Sequence, residues 1–142
     1  MIGIDTSFMI AHGMVTHPDH DQCRSCLDSL TRSGEEFLLS SAVVAEFIHV
    51  TTDAKRFTSP FTMQQALAQA MQWVDSLGVT TVSPDEADLE QFSQWMTKHQ
   101  LGRKRILDTM LAATYFGHGA TGLLTLNKPD FSIFSVFDFP LN

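Results

Sequence analysis

The chain has 142 residues, of which 44% are hydrophobic and 18% are charged, which argues against a disordered protein and fits a single domain over residues 1–142. The formal net charge of −7 argues against a broad basic surface that coats nucleic acid, but it leaves room for an acidic site beside a local basic strip. Two cysteines are too few for a disulfide framework, and neither a signal peptide nor a membrane span is recognisable, so we expect a cytoplasmic protein without a membrane anchor.

Short apolar runs alternate with helical patterns along the chain. The predicted strands cover residues 2–4, 37–39, 79–82 and 123–125, and an aromatic segment over 131–139 forms a last strand or a packed tail. The predicted helices cover residues 7–14, 17–32, 42–52, 62–77, 84–99 and 107–116. Because helices separate the strands, we expect an α/β fold in three layers, with a central parallel sheet of four to five strands flanked by helices.

Capping signals and apolar spacing define the predicted helices. Thr6 or Ser7 can cap the first helix, Ser40 or Ser41 the third, and Ser83 opens a capping box for the fifth. The residues expected to face the core in the fourth and fifth helices are Met63, Leu67, Ala70, Met71, Val74, Leu77, Leu89, Phe92, Trp95 and Met96.

Three acids stand at unusual places in this pattern. Asp5 ends the first predicted strand, at the carboxyl edge where open α/β sheets bind ligands. Glu46 lies three residues after Val43 and four before Val50, so its carboxylate is expected on the buried side of the third helix. Asp108 opens an apolar helix. The fold can bring all three to one edge of the sheet.

A cluster of carboxylates needs a cation, because neighbouring negative charges raise one another's pKa and a divalent ion reverses that effect. Ligand sets made only of oxygen favour Mg²⁺ or Mn²⁺ over Zn²⁺. Hydrolysis of phosphodiesters by metal-activated water is the commonest chemistry of such a site. The basic run Arg103, Lys104 and Arg105 leads directly into Asp108 and is predicted to hold RNA phosphates, although a solvated loop is an equally simple interpretation.

Four short motifs in order resemble the PIN domain family, and their spacing resembles the bacterial VapC-like toxins. The motifs are Ile4-Asp5-Thr6-Ser7-Phe8, Ala45-Glu46-Phe47, the segment ILDTMLAA at 106–113, and LTLN at 124–127 followed by Asp130-Phe131. The resemblance covers the whole chain and implies a Mg²⁺- or Mn²⁺-dependent endoribonuclease with a four-acid site. Asp5, Glu46 and Asp108 match the first three acids.

The fourth acidic position of the family is occupied by Asn127, two residues after Thr125, and Asp130 lies close enough in sequence to compensate. This departure puts a second metal ion in question. Asp5 and Asp108 are expected to ligate metal, with Glu46 ligating or orienting a metal-bound water as base. The resemblance also implies in-line attack on phosphorus that leaves a 5′-phosphate and a 3′-hydroxyl. The hydroxyls of Thr6, Ser7 and Thr125 are expected to hydrogen-bond the carboxylates.

Family resemblance further implies two protein partners. One is a cognate antitoxin that blocks the acidic pocket, often with an arginine, and the other is a second copy of the chain. Part of the aromatic tail, which contains Phe131, Phe134, Phe137 and Phe139, is expected in the core and part against a homodimer partner.

Simpler or competing interpretations stand beside this one. Asp5 can merely cap a helix, Asp108 can interact with a helix dipole, Glu46 can form a salt bridge, and Asn127 and Asp130 can be turn residues. A Glu-x-x-His at 46–49 is typical of di-iron bundles but occurs only once, and the spacing of His17, His20, Cys23 and Cys26 suits zinc poorly from one helix. The competing functions are a catalytically weak or silent binding module, a nuclease acting on DNA, and a phosphoacceptor domain that uses Asp5.

Overall fold

A computed structural model describes residues 1–141 as one parallel sheet flanked by helices. Its strands are β1 (Ile2–Ile4), β2 (Phe37–Ser40), β3 (Val79–Val82) and β4 (Gly122–Leu124). Its helices are α1 (Thr6–Gly13), α2 (His20–Arg32), α3 (Ser41–Thr51), α4 (Met63–Asp75), α5 (Glu86–Lys98), α6 (Ile106–Gly117) and α7 (Lys128–Ser132), with a 3₁₀ turn over Arg103–Arg105. Among these residues, no helix is both long enough and apolar enough to cross a membrane.

The four strands lie in the order β3-β2-β1-β4, and every neighbouring pair is parallel. In this register Ile2 lies opposite Phe37 on one side and Gly122 on the other. The predicted parallel α/β architecture is therefore confirmed, with four strands. Asp5 and Thr125 follow two adjacent strands, β1 and β4, so the sheet brings them to the same carboxyl edge.

The aromatic tail contributes one isolated bridge, Asp138 to Gly122, and no fifth strand within residues 1–141. Phe131 and Phe134 are buried against the core, where Trp95 stacks on Phe134 with ring centroids 4.6 Å apart. The turn predicted at residues 127–130 is instead the start of α7. A proline in the first turn of that helix is compatible with its geometry, because the first helical N–H groups have no partner within the helix.

The predicted inward face of α4 is only partly right, since Ala70 is buried and Val74 packs against the core as expected, whereas the larger side chains are not buried. Met63, Leu67 and Met71 are 55%, 45% and 48% exposed, and the buried residues of this helix are Ala66, Ala70 and Trp73. Leu77 lies beyond the end of the helix and is fully exposed. The buried positions of α4 are thus filled by two alanines and a tryptophan, and the longer side chains Met63, Leu67 and Met71 lie on the exposed side.

Several caps also differ from the prediction. Asp5 itself caps α1, since its carboxylate accepts a hydrogen bond from the backbone N–H of Thr6. At α5 the reciprocal capping box is formed by Asp85 and Asp88, and the predicted inward residue Leu89 is 47% exposed. The prediction of Ser40 as the cap of α3 is confirmed, because its hydroxyl accepts from the N–H of Ala42 at 3.2 Å.

Candidate active site

Asp5 lies at the carboxyl end of β1 and is only 6% exposed. Its Oδ1 accepts from the Thr6 N–H at 2.8 Å, and its Oδ2 accepts from the hydroxyls of Ser7 and Thr125 at 2.8 and 2.7 Å. Burial raises the pKa of Asp5, and Asp130 raises it further, while these three hydrogen bonds lower it. The helix-cap interpretation and the functional one are therefore compatible, because a single carboxylate both caps α1 and faces other acids.

The hydroxyls that hold Asp5 are themselves fixed by the backbone after β4. The N–H of Leu126 donates to Ser7 Oγ at 3.0 Å, and the N–H of Asn127 donates to Thr125 Oγ1 at 2.9 Å. Ser7 and Thr125 thus contact the carboxylate through their side chains, as the sequence suggested. The contact of Thr6 is made by its main chain instead. This network fixes the orientation of the Asp5 carboxylate between β1 and β4.

Asp108 lies in the first turn of α6 and is half-buried. Its own burial and then the neighbouring Asp5 and Asp130 raise its pKa to about 6, and Glu46 adds to the shift while Arg105 opposes it. The acids therefore lie close enough to act on one another electrostatically. The charges of three acidic neighbours thus act on Asp108, and oxygen ligands of this kind suit a divalent cation. Among the described residues, however, no three of these four acids have ligand atoms that all lie within 4.8 Å of one another.

Glu46 is exposed, contrary to the expectation that it points to the buried side of α3. The buried residues of this helix are Val43, Phe47, Val50 and Thr51, and Glu46 lies at the border of their stripe. A solvated carboxylate carries no large desolvation penalty, so burial gives no argument for its function. Glu46 nevertheless lines the same cleft as Asp5 and Asp108.

The two candidates for the fourth acidic position differ in their surroundings. Asn127 is exposed, and its side chain makes no capping hydrogen bond to α7. Asp130 is half-buried and acts electrostatically on both Asp5 and Asp108. Asp130 thus contributes charge to the electrostatic environment of Asp5 and Asp108, whereas the neutral amide of Asn127 contributes none.

The basic run does not behave as one unit. Arg103 and Lys104 are exposed on the 3₁₀ turn that precedes α6. Arg105 is half-buried, and its Nη2 donates to the backbone carbonyl of Asp130. The guanidinium of Arg105 therefore connects the start of α6 to α7, and two cations of the run remain on the surface.

A cleft of about 320 Å³ connects these elements. Its polar lining includes Asp5, Glu46 and Asp108, and its apolar wall is made by residues of α3, α6 and the loop before α5. The residues of that wall are Ala42, Val43, Ala45, Pro84, Leu107, Met110 and Leu111.

A second group of possible metal ligands lies elsewhere. Among residues 1–141, Asp85, Asp88 and His118 have ligand atoms that all lie within 4.8 Å of one another. Asp88 is 1% exposed and was not singled out from the sequence; its only signal there is its place three residues after the cap Asp85. His118 Nδ1 lies 2.8 Å from the Thr114 carbonyl and 3.4 Å from Asp88 Oδ2. Capping of α5 and the end of α6 accounts for these contacts without a metal.

The Asp85–Asp88–His118 group lies at the opposite end of α6 from Asp108. Gly117 contacts Asp88 at the last turn of α6, whereas Asp108 lies in its first turn, roughly 14 Å away along the helix axis. The residues considered for zinc, His17, His20, Cys23 and Cys26, do not form a ligand group in the part of the chain that the structure describes.

Known structures share this fold. VapC20 of Mycobacterium tuberculosis, a Sarcin-Ricin loop cleaving toxin, superimposes with a TM-score of 0.72 at 20% identity, covering 96% of each chain. FitAcB from Neisseria gonorrhoeae superimposes with a TM-score of 0.67 at 19% identity, covering 99% of this chain and 98% of its own. VapBC-1 from nontypeable Haemophilus influenzae superimposes with a TM-score of 0.67 at 18% identity, covering 98% of this chain and 96% of its own.

A comparison with curated proteins found no significant match. The structural likenesses above, all at low identity, establish the fold. The sequence model of the PIN domain matches residues 2–133, nearly the whole chain, and the protein therefore belongs to the PIN domain family.

Proposed function

We propose that the protein is a Mg²⁺- or Mn²⁺-dependent endoribonuclease and the toxin of a toxin–antitoxin pair. The observation that carries the proposal is the cleft that Asp5, Glu46 and Asp108 line together. Burial first, and then the charges of Asp5 and Asp130, raise the pKa of Asp108 to about 6. Such an arrangement is unfavourable in the metal-free protein and becomes favourable when a divalent cation is bound. Membership of the PIN domain family supports a nuclease.

In this mechanism Asp5, Asp108 and Asp130 would hold the metal ion, which would supply Lewis-acid activation of water and of the scissile phosphate. Ser7 and Thr125 keep the Asp5 carboxylate in one orientation through their hydroxyl hydrogen bonds. Glu46, exposed at the side of the cleft, is free to accept a proton from the attacking water.

Substrate binding is assigned to the surface beside α6. Arg103 and Lys104 are exposed just before the helix that carries Asp108, so their charges can contact backbone phosphates next to the reacting one. The net charge of −7 makes this local strip the place where a polyanion meets the least repulsion. Arg105 is assigned to holding α7 against α6, because it contacts the Asp130 carbonyl.

The proposed partners are an antitoxin and a second copy of the chain. Structures that share the fold include VapBC-1 from nontypeable Haemophilus influenzae and a toxin-antitoxin complex from Klebsiella pneumoniae. Exposed Met63, Leu67 and Met71 on α4 supply apolar surface that a protein partner would cover. A toxin of this kind acts in the cytoplasm, where its RNA substrate is.

The proposal is tested by incubating the purified protein with single-stranded RNA and with DNA of the same sequence. We expect cleavage of RNA with Mg²⁺ or Mn²⁺, none with a chelator, and products with a 5′-phosphate. Cleavage of the DNA alone would replace RNA by DNA as substrate. Tight Mn²⁺ binding without cleavage of either polymer would favour a silent binding module, and cleavage unaffected by the chelator would refute the metal-dependent mechanism.

The assignment of Asp130 has its own test. We expect Asp130→Asn to weaken Mn²⁺ binding about 10-fold or more in calorimetry, because it removes a carboxylate that acts on Asp5 and Asp108. Asn127→Ala, three residues away on the exposed side, is expected to change Mn²⁺ affinity by less than about twofold. The reverse order of the two effects would return the fourth metal-site position to Asn127.

A further inference from the structure

Tyr115 is a fully buried residue of α6, seven residues after Asp108, and its hydroxyl lies between two strand ends. It donates a hydrogen bond to the Ile4 carbonyl at 2.5 Å and accepts one from the Ser40 N–H at 3.0 Å. Burial raises the pKa of Tyr115, so the hydroxyl keeps its proton at neutral pH and remains a donor.

The ring of Tyr115 packs on the backbone of β1 at Gly3. A Cβ added at Gly3 would lie 2.7 Å from Tyr115 Cγ, closer than real Cβ atoms approach. The absence of a side chain at residue 3 therefore lets the aromatic ring reach the sheet. The paired register of β1 and β2 covers Ile2 with Phe37 and Gly3 with Leu38, so the Tyr115 hydroxyl links Ile4 and Ser40 beyond the last paired residues of these two strands.

The two hydrogen-bond partners are adjacent to candidate site residues. Ile4 directly precedes Asp5, and Ser40 is the cap of α3, which carries Glu46. Tyr115 belongs to the same helix as Asp108. One side chain thus connects the three elements that carry the first three acids, at a single buried point beneath the cleft.

We infer that Tyr115 is a positioning residue for the acidic site, which sets the spacing of Asp5, Glu46 and Asp108 by tying the ends of β1 and β2 to α6. The inference rests on the proposed function for its catalytic consequence, but the geometric tie is testable without it. A hydroxyl that bridges two backbone groups fixes both, whereas packing of the ring alone leaves them free to move apart.

Tyr115→Phe tests the inference, because it keeps the ring on Gly3 and removes only the hydroxyl. We expect kcat for RNA cleavage to fall about 10-fold with KM for RNA within twofold, and Mn²⁺ to bind several-fold more weakly. In the metal-free protein, we expect faster hydrogen exchange at the N–H groups of Thr6 and Ala42, which lie at the starts of α1 and α3.

The matched control is Thr51→Val, which also removes a buried hydroxyl and its single hydrogen bond, here to the Phe47 carbonyl at 2.7 Å within α3. It should lower stability without changing kcat or the exchange of Thr6. Unchanged exchange at Thr6 and Ala42 in Tyr115→Phe would overturn the inference, as would an equal loss of kcat in Thr51→Val. A wild-type protein without Mn²⁺ binding or cleavage would refute the proposed function, and the exchange measurement would still decide the role of Tyr115.

Discussion

Asp5→Asn is expected to abolish metal-dependent RNA cleavage, with a loss of at least about 100-fold, and to remove Mn²⁺ binding at the cleft. The fold should survive. Asparagine caps helices as well as aspartate does, and the hydroxyls of Ser7 and Thr125 can turn to accept from the new amide group. Because burial raises the pKa of Asp5, removing its charge also relieves a buried carboxylate in the metal-free protein. Cleavage assays, calorimetry with Mn²⁺ and circular dichroism measure the three effects.

Asp85→Asn is the matched control for this change. Asp85 caps α5 as Asp5 caps α1. It belongs to the Asp85–Asp88–His118 group, which lies at the other end of α6 from Asp108. We expect wild-type cleavage and Mn²⁺ affinity in this variant. Loss of Mn²⁺ binding in Asp85→Asn with retention in Asp5→Asn would move the metal site to that group, and full activity in Asp5→Asn would refute the proposed mechanism.

We expect the Asp108→Asn variant to be more stable than the wild type without metal and less stable than the wild type when Mn²⁺ is present. The folded-state pKa of about 6 lies above the ordinary 3.8, so the folded protein holds this proton more tightly than the unfolded chain does. The stability of the metal-free wild type therefore falls as pH rises from about 4 to about 6 and then levels off. In the variant this contribution to the pH dependence should be absent, and metal-free unfolding at pH 7 should cost about 1 kcal/mol more than in the wild type.

This expected difference in the free energy of unfolding is smaller than a conversion at roughly 1.4 kcal/mol per pKa unit would give. The Asp108 side chain is partly solvated, and the start of α6 favours a negative charge. Added Mn²⁺ should stabilise the wild type by mass action and leave the variant unchanged, so the wild type becomes the more stable protein. Denaturant titrations from pH 4 to 7.5, with and without Mn²⁺, measure both effects. Asp21→Asn, an exposed acid in the first turn of α2, controls for the helix dipole alone. A metal-free Asp108→Asn that is less stable than wild type at pH 7 would contradict the crowding of acids in the cleft.

Local sequence signals were sufficient for much of the fold. Apolar runs placed β1, β2 and β4, and the β-branched run Val79–Val82 placed β3, each to within one residue at either end. Buried parallel strands such as β1, β2 and β4 consist of mostly apolar residues that polar residues interrupt, whereas the two threonines of β3 are exposed. The position of Asp5 at the end of β1 followed directly from this pattern. Its proximity to Asp108 required only that parallel strands end at one edge and that α6 lead into β4.

Features that depend on tertiary packing were not accessible in the same way. In α4 the side chains Met63, Leu67 and Met71 were predicted to face inward together with Ala70, yet only Ala70 of these four is buried. The burial of Ala66 was not predicted, because a small side chain gives little signal in a hydrophobic pattern. Glu46 lies at the edge of the buried face of α3. At that position a rotation of the helix about its axis by a few tens of degrees decides whether the side chain is buried or exposed to solvent.

The contacts of Asp88 and Tyr115 also depend on tertiary packing and could not be predicted from the sequence. Asp88 is buried because Gly117 leaves room for it, and Tyr115 reaches two strand ends because Gly3 leaves room for its ring. Each pair joins residues far apart in sequence, so helical or strand periodicity contains no information about it.

The placement of β4 beside β1 has a consequence for synthesis. Thr125, whose hydroxyl donates a hydrogen bond to the Asp5 carboxylate, lies 120 residues after Asp5 in the sequence. Asp130 follows later still. Chains are made from the N terminus, so a nascent chain that already contains Asp5, Glu46 and Asp108 still has an unpaired edge at β1. The hydrogen-bond network around Asp5 is complete only when Thr125 has been translated, so the proposed nuclease would gain its full site only after the ribosome has read most of the message that encodes this domain.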